Sequence, residues 1–178
     1  MAAAAASPMI FCRFTLGWAG VPMDYYGVRD RFGVWLLSDL TITASTAAQT
    51  PVDSLTLSDQ PLVSLSDVEY IEQATGFLAF NSETVAFDSL RATIGNPTMS
   101  GLPFVVVADG VKIYMGGFFS PISSIRIPDP MVYTDSITVG GFTISAPEPG
   151  PTPPNDPRFD PRIVKVLTET GRFVPAGG

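Results

Sequence analysis

The sequence predicts a β-rich α+β fold: a small antiparallel sheet with one packed helix, and extended arms at the N- and C-termini. Three observations lead there. Apolar residues make up 46% of the chain and charged residues only 15%, so a core can be buried. Seventeen prolines and 16 glycines among 178 residues interrupt the chain too often for long helices. Apolar residues recur at every second position in several short segments, and Asp109-Gly110 lies between two apolar runs as a hairpin turn would. The length suits one domain. Residues 1–8 read as an Ala-rich leader, 9–145 as a single domain, 146–161 as a Pro-rich linker arm and 162–178 as a C-terminal helix and tail.

Residues 9–16 place Ile10, Cys12, Phe14 and Leu16 on one side of a first strand. The Gly-broken stretch 17–33 is aromatic and either caps the core or meets a partner. Residues 34–45 suit one or two strands, and 46–61 a polar linker. In 64–71, Ser66 and Glu69 have capping-box spacing for a short helix. Residues 76–82 form an apolar strand. A helix over 82–95 has Ser82 as N-cap and Glu83 in the first turn. Val85, Ala86, Leu90, Ala92 and Ile94 supply its stripe, and Gly95 and Pro97 stop it. The run Phe104–Ala108 is apolar on both faces, which predicts a central strand covered on both sides. Gly116-Gly117 then reads as a bulge. Prolines 121, 128 and 130 restrict 120–133 to an extended edge, and 136–145 reads as a hairpin or bulged strand. In 160–173, Asp160 caps a helix with Pro161 at its first position and Ile163, Val164 and Leu167 on one face. That helix folds back on its own domain or onto a neighbour.

The chemistry is sparse. A net charge of −7 with two lysines, Lys112 and Lys165, and scattered arginines offers no basic stripe for nucleic acid. The single cysteine, Cys12, forms no internal disulfide and supports no thiolate metal site. Without histidine, the usual general base and the Ser-His and Cys-His nucleophile systems are missing. The start of the chain has neither a basic region nor a long apolar run, and no stretch approaches the ~18 apolar residues of a membrane span. Association with a membrane surface remains open. No phosphate-binding loop or nucleophile elbow occurs. Asp109 reads as turn chemistry, and Asp156 and Asp160 flank Arg158 without the glycine and glutamate of a calcium loop. No cofactor and no metal are expected.

The aromatic residues carry more. Phe118 and Phe119 are adjacent, so an extended chain sends them to opposite faces, and one is expected to point away from the core. Trp18, Tyr25 and Tyr26 share a Gly-broken loop and are residue types that anchor interfaces.

The segments "LSDVEYIEQATGFLAF", "GLPFVVVADGVKIYMGGFFSPISS" and "PMVY" cover about residues 62–133. This part resembles a domain family of uncharacterised bacterial envelope proteins, many of them lipoproteins, and is distantly similar to the periplasmic head region of the SecD translocation subunit. The resemblance implies an α+β domain with a small antiparallel sheet and one packed helix, in the bacterial envelope or periplasm. It implies no activity.

The expected function is that of a non-catalytic structural or accessory subunit, docking into a larger protein assembly through its terminal arms and aromatic loops. The expected contact residues are Trp18, Tyr25, Tyr26, Phe118, Phe119, Ile163 and Leu167. Two alternatives stand beside it: an envelope-associated domain binding a peptide or small ligand next to the hairpin, and a carboxylate-based hydrolase with two facing acids.

Overall fold

The computed structural model describes residues 31–147 and 156–177. Its elements run β1 (Phe32–Leu36), α1 (Ala44–Ala47), β2 (Val63–Ser64), β3 (Val68–Glu72), β4 (Phe77–Phe80), α2 (Phe87–Ile94), β5 (Leu102–Ala108), β6 (Val111–Phe119), β7 (Met131–Tyr133), β8 (Gly141–Thr143), α3 (Pro161–Glu169) and β9 (Phe173–Val174). The fold is β-rich α+β, as the sequence predicts, and it is built from two sheets. One has the order β2-β1-β5-β6-β7 and the other β8-β4-β3-β9. Each sheet ends in a parallel pair, β6 with β7 and β3 with β9.

The β5–β6 hairpin organises the rest. Asp109 and Gly110 take φ of +47° and +76°, the left-handed values that a two-residue hairpin turn demands. Because β5 is central, its side chains go alternately to two cores. Phe104, Val106 and Ala108 join Tyr114 and Phe118 of β6 in the inner core. There they meet Val68, Ile71, Leu78, Phe80 and Phe142 of the second sheet and the buried faces of α2 and α3. The ring of Phe142 packs edge-on against both Phe118 and Phe80, with centroids 6.0 and 5.5 Å away, and so joins the two sheets. Val105, Val107, Met115 and Phe119 face the other way, into an outer core closed by Ala44, Ala47, Leu55, Ile127 and Met131.

This two-sided burial corrects the expectation for Phe118 and Phe119. Both are 0% exposed, because each face of the sheet has its own cover. The glycines before them form no bulge. Gly116 and Gly117 pair in register with Phe104 and Pro103, and the irregularity lies at Val106/Val107. What the pair requires is space: a Cβ on Gly116 would lie 2.4 Å from Phe104 Cζ, and one on Gly117 2.8 Å from Ala44 Cβ.

Other boundaries move for local reasons. The strand expected over 34–45 ends at Leu36, and Thr43 then caps α1, its side chain accepting from the Thr46 N–H. The stretch expected as a linker, 46–61, supplies Ala47 and Leu55 to the outer core. The capping box is Ser64 with Asp67, not Ser66 with Glu69. It closes a single turn, Leu65–Asp67, before the chain extends into β3. α2 starts at Phe87 instead of Ser82, since Asn81 turns the chain first, its carbonyl accepting from the N–H groups of Thr84 and Val85. Its buried face is Leu90 and Ile94, and Gly95 at φ +61° ends it.

The sheets are tied together at both margins. Met131 and Ser145 exchange backbone hydrogen bonds of 3.1 and 2.7 Å, and the turn at Leu65–Asp67 carries the chain from β2 directly into β3. The end of the chain is no free arm. Asp160 caps α3 from its side chain, and Ile163, Val166 and Leu167 are buried in the inner core, with Val166 taking the place expected of Val164. The strand expected at 9–16, the loop with Trp18, Tyr25 and Tyr26, and residues 148–155 of the Pro-rich arm lie outside the described residues.

Phe118→Ala and Phe119→Ala should each lower the unfolding free energy by about 3–5 kcal/mol, measured by urea denaturation, because each empties a site in a different closed core. A loss below ~1 kcal/mol for either would show that its face is open.

Candidate functional site

Because β5 runs antiparallel to both of its neighbours, β1 and β6, the loops following β1, preceding β5 and following β6 gather at one end of the five-stranded sheet. Their backbones are pinned to one another. Ala44 and Ser45 donate N–H bonds to the carbonyls of Gly101 and Ser100, and the buried Ser123 hydroxyl donates to Met99 O at 2.6 Å. On these fixed loops three large apolar side chains face solvent: Leu40 (59% exposed), Met99 (43%) and Ile122 (78%). Asp39 Oδ1 accepts from the Thr41 hydroxyl and N–H, which holds its carboxyl below the usual range and fixes the loop bearing Leu40. Asp129, between two prolines on the loop bearing Ile122, is half-buried, and its carboxyl is pushed up by desolvation.

A second feature runs along the outer edge of β1. Leu57 lies opposite Leu37 and Val63 opposite Val34, so the covering segment advances six residues while β1 advances three. The surplus loops out at Asp59-Gln60-Pro61. A cavity lies on each side of this loop, and both share Ser58, Gln60 and Pro61. The one beside the hairpin turn, about 670 Å³, is lined by Trp35, Leu57, Val107 and Gly110 with Asp53 and Asp59. The one beside α2, about 430 Å³, is lined by Leu36, Leu40, Leu62, Val85 and Leu90 under a rim of hydroxyls. Lys112 Nζ donates to the carbonyls of Asp53 and Leu55 at 2.9 and 2.6 Å, which fixes the wall of the larger cavity. Among the described residues, no ion pair is made by Asp53 or Asp59.

Most other charges are committed to the fold. Arg31 bridges the Asp109 carboxylate (Nε–Oδ1 2.8 Å) and Glu169 (2.8 Å), locking the hairpin turn to α3. The Arg31 guanidinium holds the Asp109 carboxyl below the usual carboxylate range, and the two acids hold Arg31 above its own. Arg162 acts likewise on Asp160. Arg158 pairs with Asp156 at 2.6 Å, donates to Ile144 O at 2.7 Å and lies over the Phe159 ring. Asp156 and Asp160 are thus engaged by arginines. Among the described residues, no three His, Cys, Asp or Glu side chains are grouped to hold a metal ion. The buried Tyr114 phenol is pushed up by desolvation.

The expected contact residues are not brought together. Phe118, Ile163 and Leu167 sit in the inner core and Phe119 in the outer core, while Trp18, Tyr25 and Tyr26 lie outside the described residues. The residues missed were Leu40, Met99 and Ile122. Each is an apolar side chain in a Ser/Thr/Pro loop: "SDLTIT", "NPTMSG" and "SPISS". No family model, curated protein or solved structure matches the chain. Among the described residues, no helix is long and apolar enough to cross a membrane.

Asp109→Asn retains the left-handed turn and removes the carboxylate. Since the folded-state carboxyl is depressed, its contribution is present above about pH 4 and fades as pH falls through the folded value. With the pair partly exposed, the wild type should exceed the variant at pH 7 by less than about 1 kcal/mol in urea denaturation. The gap should shrink as pH falls below about 4.

Proposed function

We propose that the protein is a non-catalytic accessory subunit that docks into a larger protein assembly through the loop end of its five-stranded sheet. The observation that supports this is the exposure of Leu40, Met99 and Ile122 on three loops that fix one another. Burying such a side chain contributes roughly 1.5–3 kcal/mol. Loops already held in place lose little entropy on binding. Trp18, Tyr25 and Tyr26 would add aromatic anchors from the N-terminal segment. The ion pairs at Asp109, Asp156 and Asp160 fit a scaffold role, since they tie these acids to neighbouring arginines.

A second reading, a domain that binds a peptide or small ligand beside the hairpin, is favoured by the cavity between the hairpin turn and Asp53–Pro61. Its volume of about 670 Å³ lies in the range of ligand sites.

Photo-reactive residues placed at Ile122 and, as a control, at Val174 of β9, which lines neither cavity, should separate docking from background in the native source. The Ile122 probe should cross-link to one discrete protein and the Val174 probe should not. The combined change L40D, M99D, I122D should abolish that product and leave the unfolding midpoint nearly unchanged, because exposed substitutions cost about 0.5 kcal/mol or less each. Equal cross-linking from both probes, or none, contradicts the proposal.

A further inference from the structure

We infer that the two cavities along β1 form one groove for an extended polypeptide segment that carries an aliphatic side chain and, a few residues away, a lysine or arginine. This rests on the second reading, peptide binding beside the hairpin, and names the chemistry of the peptide. The cavities share Ser58, Gln60 and Pro61 as a common wall, so a chain crossing over the Asp59–Pro61 loop reaches both. The cavity beside α2 presents Leu36, Leu40, Leu62 and Val85. Its one acid, Asp67, is already bound to the Ser64 N–H and hydroxyl at 2.8 and 2.6 Å. That chemistry takes an aliphatic group.

The cavity beside the hairpin turn differs. Its rim carries the carboxylates of Asp53 and Asp59, neither of them ion-paired among the described residues. The ammonium of Lys112 is held by two carbonyls, and Arg162, near enough for Asp53 to act on its charge, is bound to Asp160. Its apolar wall of Trp35, Leu57 and Val107 suits the methylene stem of a lysine or arginine whose head reaches the carboxylates. The net charge of −7 favours approach of a cation and opposes an anion. Strand addition does not explain the site, because Ser58, Leu62 and Val63 already pair with the outer edge of β1. Recognition therefore rests on side chains.

The test uses the full chain and peptides of about ten residues on a Ser/Thr/Gly background, with one Leu and one Arg set two to five residues apart, beside Glu-for-Arg and Leu-only versions. At one spacing the Leu/Arg peptide should bind about tenfold tighter than its Glu counterpart, and the gap should narrow with salt. Asp53→Asn with Asp59→Asn should reduce Leu/Arg binding to the Leu-only level, and Leu40→Ser should weaken both. Equal binding of the Arg and Glu peptides, or no binding above background, overturns the inference. If the groove fails in this way while Ile122 still cross-links to a discrete protein, the docking reading stands without it.

Discussion

A strand that is apolar on both faces is stable only when neither face meets water, and the run Phe104–Ala108 in β5 is such a strand. The organisation of the chain follows from the need to cover it twice. One cover is the second sheet with α2 and α3. The other is made by residues around α1 together with Leu55, Ile127 and Met131. Neither cover is long or regular. Gly117 lets Ala44 of the outer cover approach β6 more closely than a Cβ would allow, and Gly116 leaves room for the Phe104 ring from the neighbouring strand.

The same constraint shapes the surface. Covering the outer face draws the chain from 37 to 57 across the sheet and returns it along β1 with surplus residues, which creates the paired cavities. Covering the inner face draws α3 onto the hairpin end, where Arg31, Asp109, Lys165 and Glu169 form a charged cluster. The opposite end is left to loops rich in Ser, Thr and Pro, and there the apolar tips of Leu40, Met99 and Ile122 project. The hairpin end thus carries a charged cluster and one exposed apolar tip, Val111, whereas the loop end presents three, which is why the loop end carries the docking proposal.

Legibility in the sequence followed the range of the interactions. The Asp109-Gly110 hairpin, the doubly covered strand, the strand at Phe77–Phe80 and the Asp160-Pro161 helix start could be read because turn chemistry, continuous apolarity and capping are local. The destination of Phe118 and Phe119 could not, because period-two alternation says that they diverge but not that both faces are covered. The helix expected at 64–71 failed in a similar way, since the Ser64–Asp67 box caps one turn and pairing with β4 and β9 then takes Val68–Glu72. The site was the least legible part. Its apolar residues are single side chains in polar loops, brought together only by the antiparallel order of β1, β5 and β6.

Native-state hydrogen exchange measures the central constraint directly, since amides in a strand closed on both faces open only when the whole domain opens. The amides of Val105 to Ala108 and of Gly116 to Phe119 should exchange with the free energy of global unfolding found by urea denaturation. Sub-global exchange in β5, well below that value, would mean that one cover opens independently, and would contradict a fold built on a hairpin buried from both sides.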